Sequence, residues 1–199
     1  MVRVDVTDAT NKLRGLYRDL DGRQFDTQVA RALNYTAARA KTSVSQGVRA
    51  EYRIKAKDIK RAIVLRRAYV TKLEASIVAA GTSLPLRAFP HRQTRKGVSV
   101  AIMRGKRKVV QKAFVATMRS GHTGVFARGT YGGDGFKFRY KRISPPGKAD
   151  TPITELRTTS VPKAMSRDAI LEKVSDKIVA TFPKRLSHLL GRASRYGKA

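Results

Sequence analysis

Apolar residues that recur at every second position leave a segment few ways to bury them, and Lys96–Arg128 has that pattern, KGVSVAIMRGKRKVVQKAFVATMRSGHTGVFAR. Val98, Val100 and Ile102 alternate with small or polar neighbours. Gly105 then sits among Arg104, Lys106, Arg107 and Lys108, and apolar alternation resumes at Val110. Period-two runs on either side of a glycine-bearing turn predict a β-hairpin, here with a cationic tip. Ser120-Gly121 marks a second turn, and Thr123–Arg128 reads as a third strand. From Ala75 to Gly133 the sequence contains neither Asp nor Glu. The cations of this sheet therefore meet no anion close in sequence, and their counter-charge is expected from another molecule.

Helical periodicity surrounds this stretch. Val2, Val4 and Val6 predict a short strand or extended arm, followed by a helix capped at Thr7 or Asp8, carrying Leu13, Leu16, Tyr17 and Leu20, and ended by Asp21-Gly22. From about Asp26 the stripe Val29, Leu33, Ala37, Ala40, Val44, Val48, Tyr52 keeps helical spacing for a length of about 40 Å. That exceeds what a compact core needs, so one end is expected to pack on another subunit. Gly47 weakens its last part by about 1 kcal/mol relative to alanine. Lys55–Ala62 reads as a short helix, and Val64–Val70 and Leu73–Ala80 read as strands. Leu84–Lys96 reads as a basic surface connection, docked by Leu84, Leu86 and Phe89.

Gly129–Pro152 is rich in glycine, proline and cations and is expected to stay disordered until a partner binds. Beyond it, Ile153–Leu156 is predicted to be extended, and a short turn or helix starts at Ser160-Val161-Pro162. Ser166 and Asp168 cap a C-terminal helix striped by Ile170, Leu171, Val174, Ile178 and Phe182. Pro183 should kink or interrupt that helix before Leu186, Leu189 and Leu190. The order predicts an α+β fold, with a central antiparallel sheet between a long N-terminal helix and a C-terminal helix. The expected division is an arm and short helix over 1–25, a single domain over 26–191 that includes the loop 129–152, and a frayed tail over 192–199. No internal repeat is visible.

Charge bounds the function. Forty-three Lys and Arg against fourteen Asp and Glu leave a net charge of +29. That is far beyond what solubility requires, and it favours nucleic acid or an acidic protein surface as partner. Apolar residues make up 41% of the chain and lie in periodic segments, so it should fold rather than act as a basic tail. The absence of cysteine excludes disulfides, thiolate metal sites and a cysteine nucleophile. The N-terminus lacks the apolar core of a secretion signal, and no apolar run is long enough to span a membrane.

Catalysis finds no foothold. His91, His122 and His188 lie in three separate segments, and Ser120-Gly121-His122 reads as a turn rather than a nucleophile elbow. Gly129, Gly132, Gly133 and Gly135 lack the strand and helix context of a phosphate-binding loop. Glu51, Asp58, Glu74 and Asp134 form no recognisable metal pair. No cofactor is expected. Phe114, Phe126, Phe136, Phe138 and Tyr140 read as core candidates rather than a stacking platform for bases.

Three blocks in order, Ala32–Ile63 (ALNYTAARAKTSVSQGVRAEYRIKAKDIKRAI), Lys96–Arg128 and Pro152–Met165 (PITELRTTSVPKAM), resemble the minor tail protein Z family of tailed bacteriophages, also described as tail completion proteins. The similarity covers roughly Asp26 to Leu190. It implies a non-enzymatic virion component at the head-proximal end of the tail, made in the host cytoplasm. That component would be one subunit of a homo-oligomeric, hexameric ring joining the tail tube and tail terminator to the head connector around viral double-stranded DNA, with no membrane involved. On that footing Arg92, Arg95, Lys96, Arg104, Lys106, Arg107, Lys108 and Lys112 are candidate contacts to DNA or a partner, and Lys137, Arg139, Lys141 and Arg142 candidate subunit contacts. The alternatives from the residues alone are a free, sequence-independent nucleic-acid-binding protein, and a nuclease or toxin that would need a divalent metal.

Overall fold

A computed structural model describes residues 2–4, 21–128, 130–132, 139–141 and 153–196. It is an α+β fold. Helix α1 spans Gly22–Glu51, α2 Ala56–Ala62, α3 Val161–Met165 and α4 Asp168–Tyr196. The strands are β1 (Val2–Val4), β2 (Ile63–Arg66), β3 (Ala75–Ala79), β4 (His91–Thr94), β5 (Gly97–Met103), β6 (Lys106–Gln111), β7 (Ala113–Thr117), β8 (Thr123–Arg128), β9 (Thr130–Gly132), β10 (Arg139–Lys141) and β11 (Ile153–Glu155). They are shared among antiparallel sheets ordered β1-β3-β2, β4-β5-β6 and β11-β8-β7, with β9 and β10 forming a ribbon.

The chain groups into two compact units, one comprising 1–47, 60–80 and 165–199, the other 48–59 and 81–164. In the first, Phe25, Val29, Ala32, Leu33 and Ala37 of α1 pack with Phe182, Leu186, Leu189 and Leu190 of α4 and with Ala75 of β3. Helix α1 begins at Gly22 rather than near Asp26 because Phe25, buried to 1%, already belongs to the stripe and donates its N–H to the Asp21 carbonyl. A methyl group at Gly47 would stand 3.2 Å from Ile170 Cγ2, so the glycine that weakens α1 also lets α4 approach it closely.

Strand β2 stops at Arg66, short of the expected Val70, because Asn34 on α1 takes both polar groups of the Ala68 backbone. Its side-chain amide donates to the Ala68 carbonyl at 2.9 Å, and its carbonyl accepts the Ala68 N–H at 2.8 Å. Those groups are thereby withdrawn from the sheet. Pro183 does not interrupt α4, which continues to Tyr196. Pro183 withholds the helical donor from the Val179 carbonyl, and both residues lie on the exposed face of the helix. The expected β1 arm pairs with β3, Val2 opposite Ile77 and Val4 opposite Ala75.

In the second unit the expected hairpin is β5–β6, turned at Arg104-Gly105, and the second turn joins β7 to β8 over the predicted range Thr123–Arg128. The supposed surface connection before it contains a 3-10 turn at Leu86–Ala88 and the strand β4, which pairs with β5 from His91 opposite Val100 to Thr94 opposite Gly97. Leu86 and Phe89 are buried as expected. Between β6 and β7 a single residue, Lys112, takes the chain from one sheet to the next at φ 58°, its N–H bonded to the Lys96 carbonyl at 3.1 Å. The predicted helix through Leu13–Leu20 and most of Gly129–Pro152 lie outside the described residues.

Candidate polyanion interface

The sheet β4-β5-β6 carries the cations singled out above. Its middle strand, β5, is buried from Gly97 to Ile102, so charge is confined to the outer strands and the turns. Arg92 on β4, Arg95 and Lys96 in the β4–β5 turn, Arg104 in the β5–β6 turn, Lys106, Arg107 and Lys108 on β6, and Lys112 at the junction are all exposed. On β6, Lys106 and Lys108 share the face of buried Val110, while Arg107 shares the other with Val109, which is 50% exposed. Of the proposed loop cations, Arg139 and Lys141 lie on β10 opposite Gly132 and Thr130. Lys137 and Arg142 fall outside the described residues.

The structure does not use these cations alike. Arg104 is bound to the end of α1. Its backbone N–H donates to the Glu51 carbonyl at 2.8 Å, and its guanidinium Nε donates to the Arg49 carbonyl at 2.8 Å. These are carbonyls that a helix leaves without intrahelical donors, and a cation there also suits the helix dipole. Arg104 is thus a helix cap.

Next to it lies a residue that sequence reasoning missed. After α1 Tyr52 makes an isolated antiparallel bridge to Met103, and the Arg53 N–H is bonded to the Ile102 carbonyl at 2.8 Å. Tyr52 and Ile54 are buried while Arg53 and Lys55 are exposed. That alternation was the available signal, hidden because Tyr52 also continues the helical stripe. Arg53, Lys106 and Arg107, with Ala101, Met103 and Gly105, line an open cleft of about 240 Å³. Among the described residues none of these three cations forms an ion pair.

Glu155, the carboxylate on β11, serves the sheet β11-β8-β7. It meets His122 Nε2 at 3.0 Å and Arg157 at 3.3 Å. His122 therefore flanks an ordinary turn at Gly121, φ 78°. His91 Nδ1 lies 2.9 Å from the Phe89 carbonyl. Among the described residues no group of three His, Asp or Glu could hold a metal ion, and no helix is long and apolar enough to cross a membrane. The arrangement offers fixed positive charge on a rigid sheet.

A family described as prophage minor tail protein Z matches residues 7–196 of the chain. No curated protein and no solved structure matches it.

Proposed function

This chain belongs to the prophage minor tail protein Z family, and we propose that it is one subunit of a ring at the head-proximal end of a phage tail, joining the tail to the head connector around the DNA path. Family membership carries the reading, because it places the chain among the structural components of a phage tail. The cationic sheet supports the finer part. With no carboxylate from Ala75 to Gly133 and a net charge of +29, each subunit needs a polyanion or an acidic neighbour to relieve its self-repulsion. A closed ring, a hexamer in this proposal, repeats one basic patch around its axis and presents it to a central duplex. Contacts of that kind hold the phosphate backbone without reading bases, as a passage for any genome sequence requires. The role is that of a scaffold and conduit, with no bond made or broken.

Two measurements test this. In micrographs of assembled particles, a copy tagged at its C-terminus is expected at the junction of head and tail; a tag along the shaft or at the distal tip overturns the placement. Exchanging Lys106, Arg107 and Lys108 together for glutamine is expected to leave tails assembling while DNA retention or delivery falls. Unchanged infectivity would remove the DNA-lining role.

A further inference from the structure

We infer that the cleft bounded by Arg53, Lys106 and Arg107 is a seat for a single phosphodiester group of duplex DNA, created by a β-bulge in β5. The inference rests on the DNA-facing reading above and deepens it, by naming which cations make one contact and what arranges them.

The bulge is visible in the pairing register. Val100 lies opposite Lys108 and Met103 opposite Lys106, so Ala101 and Ile102 together face Arg107. An extra residue in one strand bends it and re-aims the neighbouring side chains. On the other flank of the same bulged residues, the Arg53 N–H holds the Ile102 carbonyl at 2.8 Å. Two arginines far apart in sequence thereby flank one irregularity, and both line the cleft, which Lys106, on the other face of β6 from Arg107, borders at its turn end. The cleft's volume of about 240 Å³ has room for a phosphate group.

The chemistry favours phosphate over an acidic protein surface. Centres of protein interfaces are depleted of lysine and anchored by aromatic side chains. This cleft has three cations, no aromatic and no carboxylate in its lining. A guanidinium presents paired donors that match phosphate oxygens. Gly105 closes one side with open space where a side chain would stand, so a sugar-phosphate backbone can approach. Arg104, though adjacent, does not line the cleft, and its Nε is bound to the Arg49 carbonyl.

The test is a salt titration of the full-length protein binding a short labelled duplex of arbitrary sequence. Arg53→Gln and Arg107→Gln are each expected to weaken binding. The double variant should lower the slope of log affinity against log salt by about 1, the value of one shared phosphate, rather than by about 2. Arg53→Lys and Arg107→Lys should keep the slope, which a merely structural role for either arginine would not predict. Wild-type protein that binds the duplex with a slope unchanged in the double variant overturns the cleft assignment and leaves the DNA-facing reading standing. Wild-type protein that fails to bind the duplex even at low salt overturns that reading itself.

Discussion

The two turns that bracket β5 have nearly the same chemistry and are put to different uses. Arg95-Lys96 precedes the strand and Arg104-Gly105 follows it, about 23 Å apart at the usual rise per residue. At the second turn the charged side chain is part of the architecture, since Arg104 fills the carbonyl end of α1. At the first turn, closure is done by other groups. Thr94 Oγ1 and Gln93 Nε2 both donate to the Gly97 carbonyl, at 2.8 and 3.3 Å, and Gln93 Oε1 accepts the Val115 N–H at 2.9 Å. Arg95 and Lys96 are left exposed, without an ion pair among the described residues. Whether a cation is available to a partner is decided by which carbonyls lie within its reach, and charge density along the sequence carries no record of that.

The glycines at these turns provide the harshest test of the contrast. Gly97 adopts φ 148°, and a Cβ there would stand 2.0 Å from the Val110 carbonyl oxygen. Gly97→Ala forces the β5–β6 pairing apart and is expected to cost about 3–5 kcal/mol, read as a large drop in the thermal midpoint. Gly105 has φ 72° with open space around the missing Cβ, so Gly105→Ala should cost only the left-handed penalty of about 1–2 kcal/mol. Equal losses at the two positions would mean that the first turn is as open as the second.

Side chains give the next, smaller difference. Arg104→Gln removes a charged donor from the end of α1 and is expected to cost about 0.5–1 kcal/mol, with no change in the salt slope of DNA binding. Arg95→Gln and Lys96→Gln should do the reverse, leaving stability within about 0.5 kcal/mol and lowering the slope if they meet phosphate. Denaturant unfolding and the salt titration, run side by side on the same variants, separate the two cases. An Arg104 variant that binds less steeply but unfolds like the wild type would break the distinction.

The same contrast explains what the sequence disclosed. The hairpin and β8 were legible because period-two alternation and turn glycines are local signals, and the long helix was legible through its stripe. Strand β4 was not, since His91-Arg92-Gln93-Thr94 is an edge strand without apolar alternation and owes its extension to pairing with β5. The early stop of β2 depended on Asn34, a polar residue on a helix whose partner lies in the loop beyond that strand. Pro183 was expected to kink or interrupt α4, and the helix runs through it, the proline lying on the exposed face. In the candidate interface the charge was legible and its deployment was not. Arg104 finds its carbonyl at Arg49, and Arg53 comes to line the same cleft as Lys106 and Arg107 across β5, whose register the sequence does not reveal.

Lys112 supplies the smallest and most diagnostic effect. It is a non-glycine residue at φ 58°, and it alone joins β6 to β7, so its backbone must reverse hand for the chain to leave one sheet and enter the other. An L side chain in that conformation costs about 1–2 kcal/mol. Replacing it with glycine removes the strain but gives the unfolded chain more freedom, an opposing effect of about 0.4–1 kcal/mol. Lys112→Gly is therefore expected to stabilise the fold by about 0.5–1 kcal/mol, and Lys112→Asn, which tolerates the conformation better than lysine, by less. If the lysine is kept for its charge, both variants bind DNA with a reduced salt slope despite being at least as stable as the wild type. A glycine variant that melts lower than the wild type would show that the lysine side chain itself holds the junction, and would move Lys112 from the exposed cations to the structural group that contains Arg104.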